Sequence, residues 1–205
     1  MQRIANTLQE EFDVLLIGRA WPVSVPLRFK SYEQFRLKCI FNKGKFFYLE
    51  FQIRLFFYLM FQRVDIIGSI DTDTLLPCTL VKILRNKKLV FDAHEYFTEV
   101  PELSNRLVTK NIWEWIQNAC IPLADAAYTV GPALADIFSK SYGIPFSCIR
   151  NLPYYSYKEE NQNTHSPLRI LYQGALNDGR CLPELIQAIK GLPVQLLLAG
   201  EGDLS

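Results

Sequence analysis

The chain has 205 residues, with 22 Lys and Arg against 21 Asp and Glu and a formal net charge of +1. That length allows one large domain, or one domain and part of a second. The balanced charge gives no overall field that would select nucleic acid, a membrane or an acidic substrate. Five cysteines, Cys39, Cys78, Cys120, Cys148 and Cys181, are widely spaced and form no CxxC pair. They read as ordinary thiols of a reducing compartment rather than disulfides or zinc ligands. No charged n-region followed by an apolar h-region opens the chain, so a cytoplasmic protein is expected.

In chain order, QRIANTLQEEF is a helix with Ile4 and Leu8 on one face, followed by the apolar strand VLLIG at 14 to 18. Further strands are expected in VDIIGS at 64 to 69, KLVF at 88 to 91 and AAYTV at 126 to 130, with FSCIRN as an edge strand. Helices are expected around 46 to 61, 75 to 85, 105 to 119 and 133 to 141. Pro132 suits the first turn of the last one, and Gly143 and Pro145 end it. This alternation predicts an α/β fold, a Rossmann-like parallel sheet with helices on both faces.

Residues 153 to 167, PYYSYKEENQNTHSP, break that pattern and read as a domain boundary. The expected division is a first domain over 1 to 157, a linker over 158 to 167, and a second unit over 168 to 205. In that second unit LRILYQG is a strand and turn, LPELIQAIKG a helix, and VQLLLAG a strand. A doubly wound domain ordinarily opens with a strand, so the first domain is expected to lack its first strand and the second to be incomplete.

The sharpest constellation is FDAHEYFTEVPEL, directly after KLVF. Ligands of open α/β sheets collect at the carboxyl ends of strands, which places Asp92, His94, Glu95 and Glu99 favourably. A neutral His94 imidazole could donate to a carbonyl or hydroxyl near a reacting centre, its tautomer fixed by a neighbouring carboxylate. The bland alternative is a histidine that caps a helix or bonds a loop carbonyl. Glu95 and Glu99 would face one another if the segment were helical.

Zinc is not expected, because His165 is the only other histidine and it lies in the boundary segment. Asp71 and Asp73 resemble an acidic pair for a divalent ion, but Asp73 is more economically a helix N-cap.

At the end of the strand in LRILYQG, the turn YQGALNDGR offers Gly174 and Gly179 for close approach of a phosphate and Arg180 for a bidentate charge. A simple loop turn remains the competing reading. Arg28, Lys30, Arg36, Lys38, Lys43 and Lys45 precede the aromatic stretch at 46 to 61, which is too short and too charged for a span. Residues 28 to 61 could touch the inner face of a membrane peripherally, or the aromatic helix could be buried against the sheet.

Taken together, RIANTLQEEFDVLLIGR, DTDTLLP, KLVFDAHEYFTEVPEL, YTVGPALADIF, IRNLP, ILYQGALNDGR and LLLAGEGDL resemble glycosyltransferases of family 4, over essentially the whole chain. The resemblance implies a GT-B architecture of two Rossmann-like domains. It also implies retaining transfer from a nucleotide-sugar donor to a glycan or lipid-linked acceptor, with no cofactor and no essential metal. By the same resemblance His94 is the first-domain active-site histidine, with Asp92, Glu95 and Glu99 supporting it, and Gly174, Gly179 and Arg180 lie in the donor-phosphate region. Ala175 and Asp178 stand where the family offers arginine and lysine, and a carboxylate there opposes a diphosphate.

The glycine loop before the first helix and the downstream ExxxxxxxE-type motif are not found, so activity of these 205 residues alone is not expected. A non-catalytic nucleotide- or sugar-binding or interaction module is the alternative. A nicotinamide-dependent enzyme is disfavoured because GxGxxG is absent.

Overall fold

Every strand among the described residues pairs in parallel with its neighbour. A computed structural model describes residues 2 to 99, 106 to 152, 155 and 167 to 204. They divide into two units, Met1–Thr98 with Arg106–Asn151, and Glu99–Asn105 with Leu152–Ser205. Most of the expected linker, His165 and the VPEL end of the constellation lie outside the described residues.

The first unit runs α1 (Gln2–Leu8), β1 (Leu15–Ala20), β2 (Glu33–Lys38), α2 (Gly44–Phe61), β3 (Ile66–Ile70), α3 (Asp71–Arg85) and β4 (Lys88–Ala93). A 3-10 turn begins at Phe97; then come α4 (Leu107–Cys120), a second 3-10 turn (Ile121–Leu123), β5 (Ala126–Thr129), α5 (Pro132–Tyr142) and β6 (Phe146–Cys148). Strands β3, β4, β5 and β6 form one sheet in that order, while β1 pairs only with β2. The fold is therefore α/β, with parallel strands alternating with helices in a generic Rossmann-like manner.

Burial follows the strand positions. Leu89 and Phe91 of β4 and Leu75 and Val81 of α3 are fully or almost fully buried, because α3 covers β3 and β4. α5 begins at Pro132 as expected and ends at Gly143, whose φ of +71° is the left-handed conformation that closes a helix.

Two boundaries depart from the sequence reading. Strand β2 lies outside the expected set; its Phe35 and Leu37 alternate with Arg36 and Lys38, so the pattern is hidden inside a basic run. Helix α3 begins at Asp71, four residues before the expected start, and Asp73 is not its N-cap. The residue before the helix is Ile70, and its main-chain N–H is instead accepted by Thr74 Oγ1 at 3.0 Å, the hydroxyl donating back to Ile70 O at 2.7 Å. Thr74 thus replaces the usual cap from inside the first turn.

Asp125 fastens the entry to the four-stranded sheet. Its carboxylate accepts from Lys82 at 2.8 Å, Lys88 at 2.9 Å and the Leu89 N–H at 2.9 Å. On α2, Phe47, Phe51, Leu55 and Leu59 are buried at four-residue spacing. Phe46, Leu49, Ile53 and Phe57 occupy the opposite face and are exposed. The aromatic helix is therefore buried along one face, and it packs chiefly on α3 rather than against the sheet.

The second unit contains β7 (Leu168–Gln173), α6 (Leu182–Ala188) and β8 (Val194–Ala199), with β7 and β8 paired in parallel. Most side chains of the two strands are exposed or half exposed, and Leu182 is the buried hydrophobic residue of α6.

Candidate functional site

The carboxyl ends of β3 and β4 lie side by side, with Ile70 registered opposite Asp92. Each strand delivers an acidic residue there. Asp92 is the penultimate residue of β4 and is buried, whereas Asp71 is the first residue of α3. Asp71 has a φ of +54°, a left-handed conformation that aspartate tolerates better than most side chains but that still costs on the order of 1 kcal/mol. The strain is offset by its contact: Asp71 Oδ1 accepts the main-chain N–H of His94 at 2.9 Å.

His94 follows β4 directly, and its Nε2 lies 3.0 Å from Asp92 Oδ2. A carboxylate accepts, so Nε2–H donates to Asp92 and the neutral ring carries its lone pair on Nδ1. In that tautomer the neutral imidazole accepts a hydrogen bond from an incoming group, and the imidazolium donates one. About a quarter of the His94 side chain is exposed, against 3% for Asp92. The histidine is held from behind and open in front.

The surrounding shell is fixed by further bonds. Thr129 Oγ1, at the end of β5, donates to Ala93 O at 2.7 Å and ties the strand end that carries His94. Buried Gln117 of α4 donates to Thr72 Oγ1 at 2.8 Å and accepts from Tyr142 at 3.0 Å, which ties α4 to the start of α3 and to the end of α5. Tyr128 is raised above the ordinary phenol range, first by burial and then by the Asp92 carboxylate beside it.

Asp71 is also raised, by burial, partly opposed by the His94 N–H. Asp73 is raised to about 6, again first by burial and then by Asp71, with Glu95 contributing. Burial first, and the neighbouring Asp71 carboxylate second, thus bring Asp73 within reach of physiological pH. Sequence reasoning did not assign Asp71 or Asp73 to the His94 site. The signal was their place directly after VDIIGSI, the strand that neighbours β4.

Glu95 is exposed at a bend and Glu99 ends the 3-10 turn, so the two do not share a helix face as the conditional reading required. Gly174, Gly179 and Arg180 fall in one turn after β7, and three of its main-chain donors are engaged within the unit. Gly174 N–H donates to Ala199 O at 3.0 Å, Leu176 N–H to Glu201 O at 3.1 Å, and Gly179 N–H to Asp178 Oδ1 at 3.0 Å. A Cβ at Gly200 would meet Gly174 O at 1.8 Å, so glycine at 200 serves the packing of this turn. Gly179 has a φ of +79° and serves the turn geometry, while Arg180 is exposed. Pro183 removes one further donor from the start of α6.

Among the described residues no group of three or more His, Cys, Asp and Glu side chains could hold a metal ion. All five cysteines are free, and burial pushes the Cys78 thiol up to about 12, far from reactive. Two shallow hollows occur elsewhere, along Val108, Asn111, Ile112 and Trp115 of α4 and along Pro183, Glu184, Gln187 and Ala188 of the second unit. They are surface grooves without a converging polar group, so the His94 cluster is the better candidate on chemistry. The sequence matches no model of a known protein family, and no curated protein matches it.

Proposed function

We propose that this chain is related to the retaining glycosyltransferases of family 4 with GT-B architecture, and that His94 is the sugar-handling residue of its first unit. The observation that carries the reading is the pair of contacts on one residue: the ring of His94 on buried Asp92 and its main-chain N–H on Asp71. Such double fixation aims an imidazole from the carboxyl end of a parallel sheet, where ligands of open α/β folds bind. Nδ1 would accept a sugar hydroxyl, and Asp92 would stabilise the ring when it becomes charged. The substrates are a nucleotide-sugar donor and a glycan or lipid-linked acceptor, with no metal required by the chemistry of these side chains.

The 205 residues by themselves are proposed to bind sugar without transferring it. The turn that would cradle a diphosphate keeps the N–H groups of Gly174, Leu176 and Gly179 for internal bonds and presents the exposed carboxylate of Asp178. That observation also favours the second reading, a non-catalytic nucleotide- or sugar-binding module. A panel of uridine- and guanosine-diphosphate sugars, assayed for transfer, hydrolysis and binding, separates them. Binding lost in His94→Ala supports a sugar site at His94. Turnover by the chain or by a longer form of it supports the transferase, and no sugar binding to the folded chain contradicts both.

A further inference from the structure

We propose that the start of α2 and the segment before it form a docking surface for an anionic lipid bilayer. The inference is independent of the sugar chemistry and rests on three observations. The first is the exposed stripe Phe46, Leu49, Ile53 and Phe57, which runs opposite the buried face of α2. A helix with an apolar face inward and a second one outward has no ordinary solvent side.

The second observation is how the apolar tip is built. The carboxylate of Glu50 accepts the main-chain N–H groups of Ile40 and Phe41, each at 2.9 Å, and Arg54 at 2.7 Å. One side chain on α2 thus pins the incoming segment while leaving Ile40 76% exposed and Phe41 49% exposed. The rings of Phe41 and Phe46 lie 5.6 Å apart, so the two segments present one aromatic tip.

The third observation is charge. Between residues 34 and 64 the acidic side chain is Glu50, already engaged, whereas Arg36, Lys38, Lys43, Lys45, Arg54 and Arg63 are basic. Lys38, Lys43 and Lys45 are exposed, and Lys45 Nζ lies 5.4 Å from the Phe46 ring centroid. An exposed apolar tip with Lys45 on it and exposed Lys38 and Lys43 in the adjoining segment matches an interface with acyl chains below and anionic headgroups above. A second copy of the chain would bring the same positive charge against itself, which opposes a self-complementary dimer. No helix among the described residues is long and apolar enough to cross a membrane, so the contact lies in the plane of the surface.

The test is sedimentation of the full chain with vesicles of phosphatidylcholine alone or with about 30% phosphatidylglycerol, at low and high salt. Binding to the anionic vesicles, weakened by salt, is expected. Neutralising two cations in Lys43→Gln/Lys45→Gln lowers partitioning about 25-fold, at about 5-fold per cation. Phe41→Ser/Phe46→Ser abolishes partitioning with circular dichroism unchanged, while Val108→Ser/Trp115→Ser, exposed on α4, leaves it intact. Equal binding to neutral vesicles, equal loss in the α4 variant, or dimerisation without vesicle binding overturns the proposal.

Discussion

His94 Nε2 lies 3.0 Å from Asp92 Oδ2, and of the two side chains only the histidine reaches solvent. In the proposed sugar site the carboxylate would therefore act on a ligand only through the ring. In any form of the protein that transfers sugar, His94→Ala should lower turnover by about 100-fold or more, the usual scale for a positioned acid–base group. Thermal stability should change little, because the side chain is partly exposed. Asp92→Asn should also reduce turnover and alter its pH profile, since an amide can present N–H rather than oxygen to Nε2. Turnover kept by both variants would make His94 structural.

Asp73 gives the fold a pH dependence of opposite sign to the usual carboxylate. Its folded-state value, raised to about 6, exceeds the unfolded value, so the folded chain binds the proton more tightly. Its effect lowers stability as pH rises from about 4 through about 6, then levels off. Asp73→Asn should remove that slope and raise stability at pH 7 by on the order of 2 kcal/mol. Denaturant unfolding at pH 5 and pH 7 measures both quantities. An unchanged slope in the variant would contradict the burial argument.

Asp125 should behave in the reverse sense. Lys82 and Lys88, then the Leu89 N–H, hold its carboxyl below the ordinary range. Its stabilisation is present above about pH 4 and is lost as pH falls further. Asp125→Ala should cost about 1–2 kcal/mol at pH 7, discounted because the side chain is partly solvated. The difference between variant and parent should shrink toward pH 2, which acid unfolding curves would show.

Hydrogen exchange should separate the two units. β4 buries Leu89 and Phe91, whereas most side chains of β7 and β8 are exposed. Amides of β3, β4 and β5 should exchange far more slowly than those of β7 and β8. Comparable protection in both sheets would contradict that ordering.

How much of the fold and the site was legible depended on whether the signal was local. KLVF, AAYTV and VQLLLAG are compact apolar runs, and each is a strand. EQFRLK is a strand too, but its alternation spans only Phe35 and Leu37 within a basic stretch. DAH after KLVF placed Asp92 and His94 at the carboxyl end of a parallel strand, which is where the structure has them. The bond from Asp71 to the His94 N–H could not be read, because it depends on two strands in register and on a positive φ at Asp71. The two apolar faces of α2 cancel in any single periodicity, so burial of one and exposure of the other appear only once α3 packs on it.

The most direct test of the account is the imidazole resonance of His94 in the 205-residue chain, followed by nuclear magnetic resonance as nucleotide sugars and simple glycans are added. His165 provides the internal comparison. The account predicts a saturable shift of the His94 ring signals with at least one sugar, absent in Asp92→Ala, while the His165 signals stay in place. Ring signals of His94 that remain unmoved by every sugar in the folded chain would contradict it.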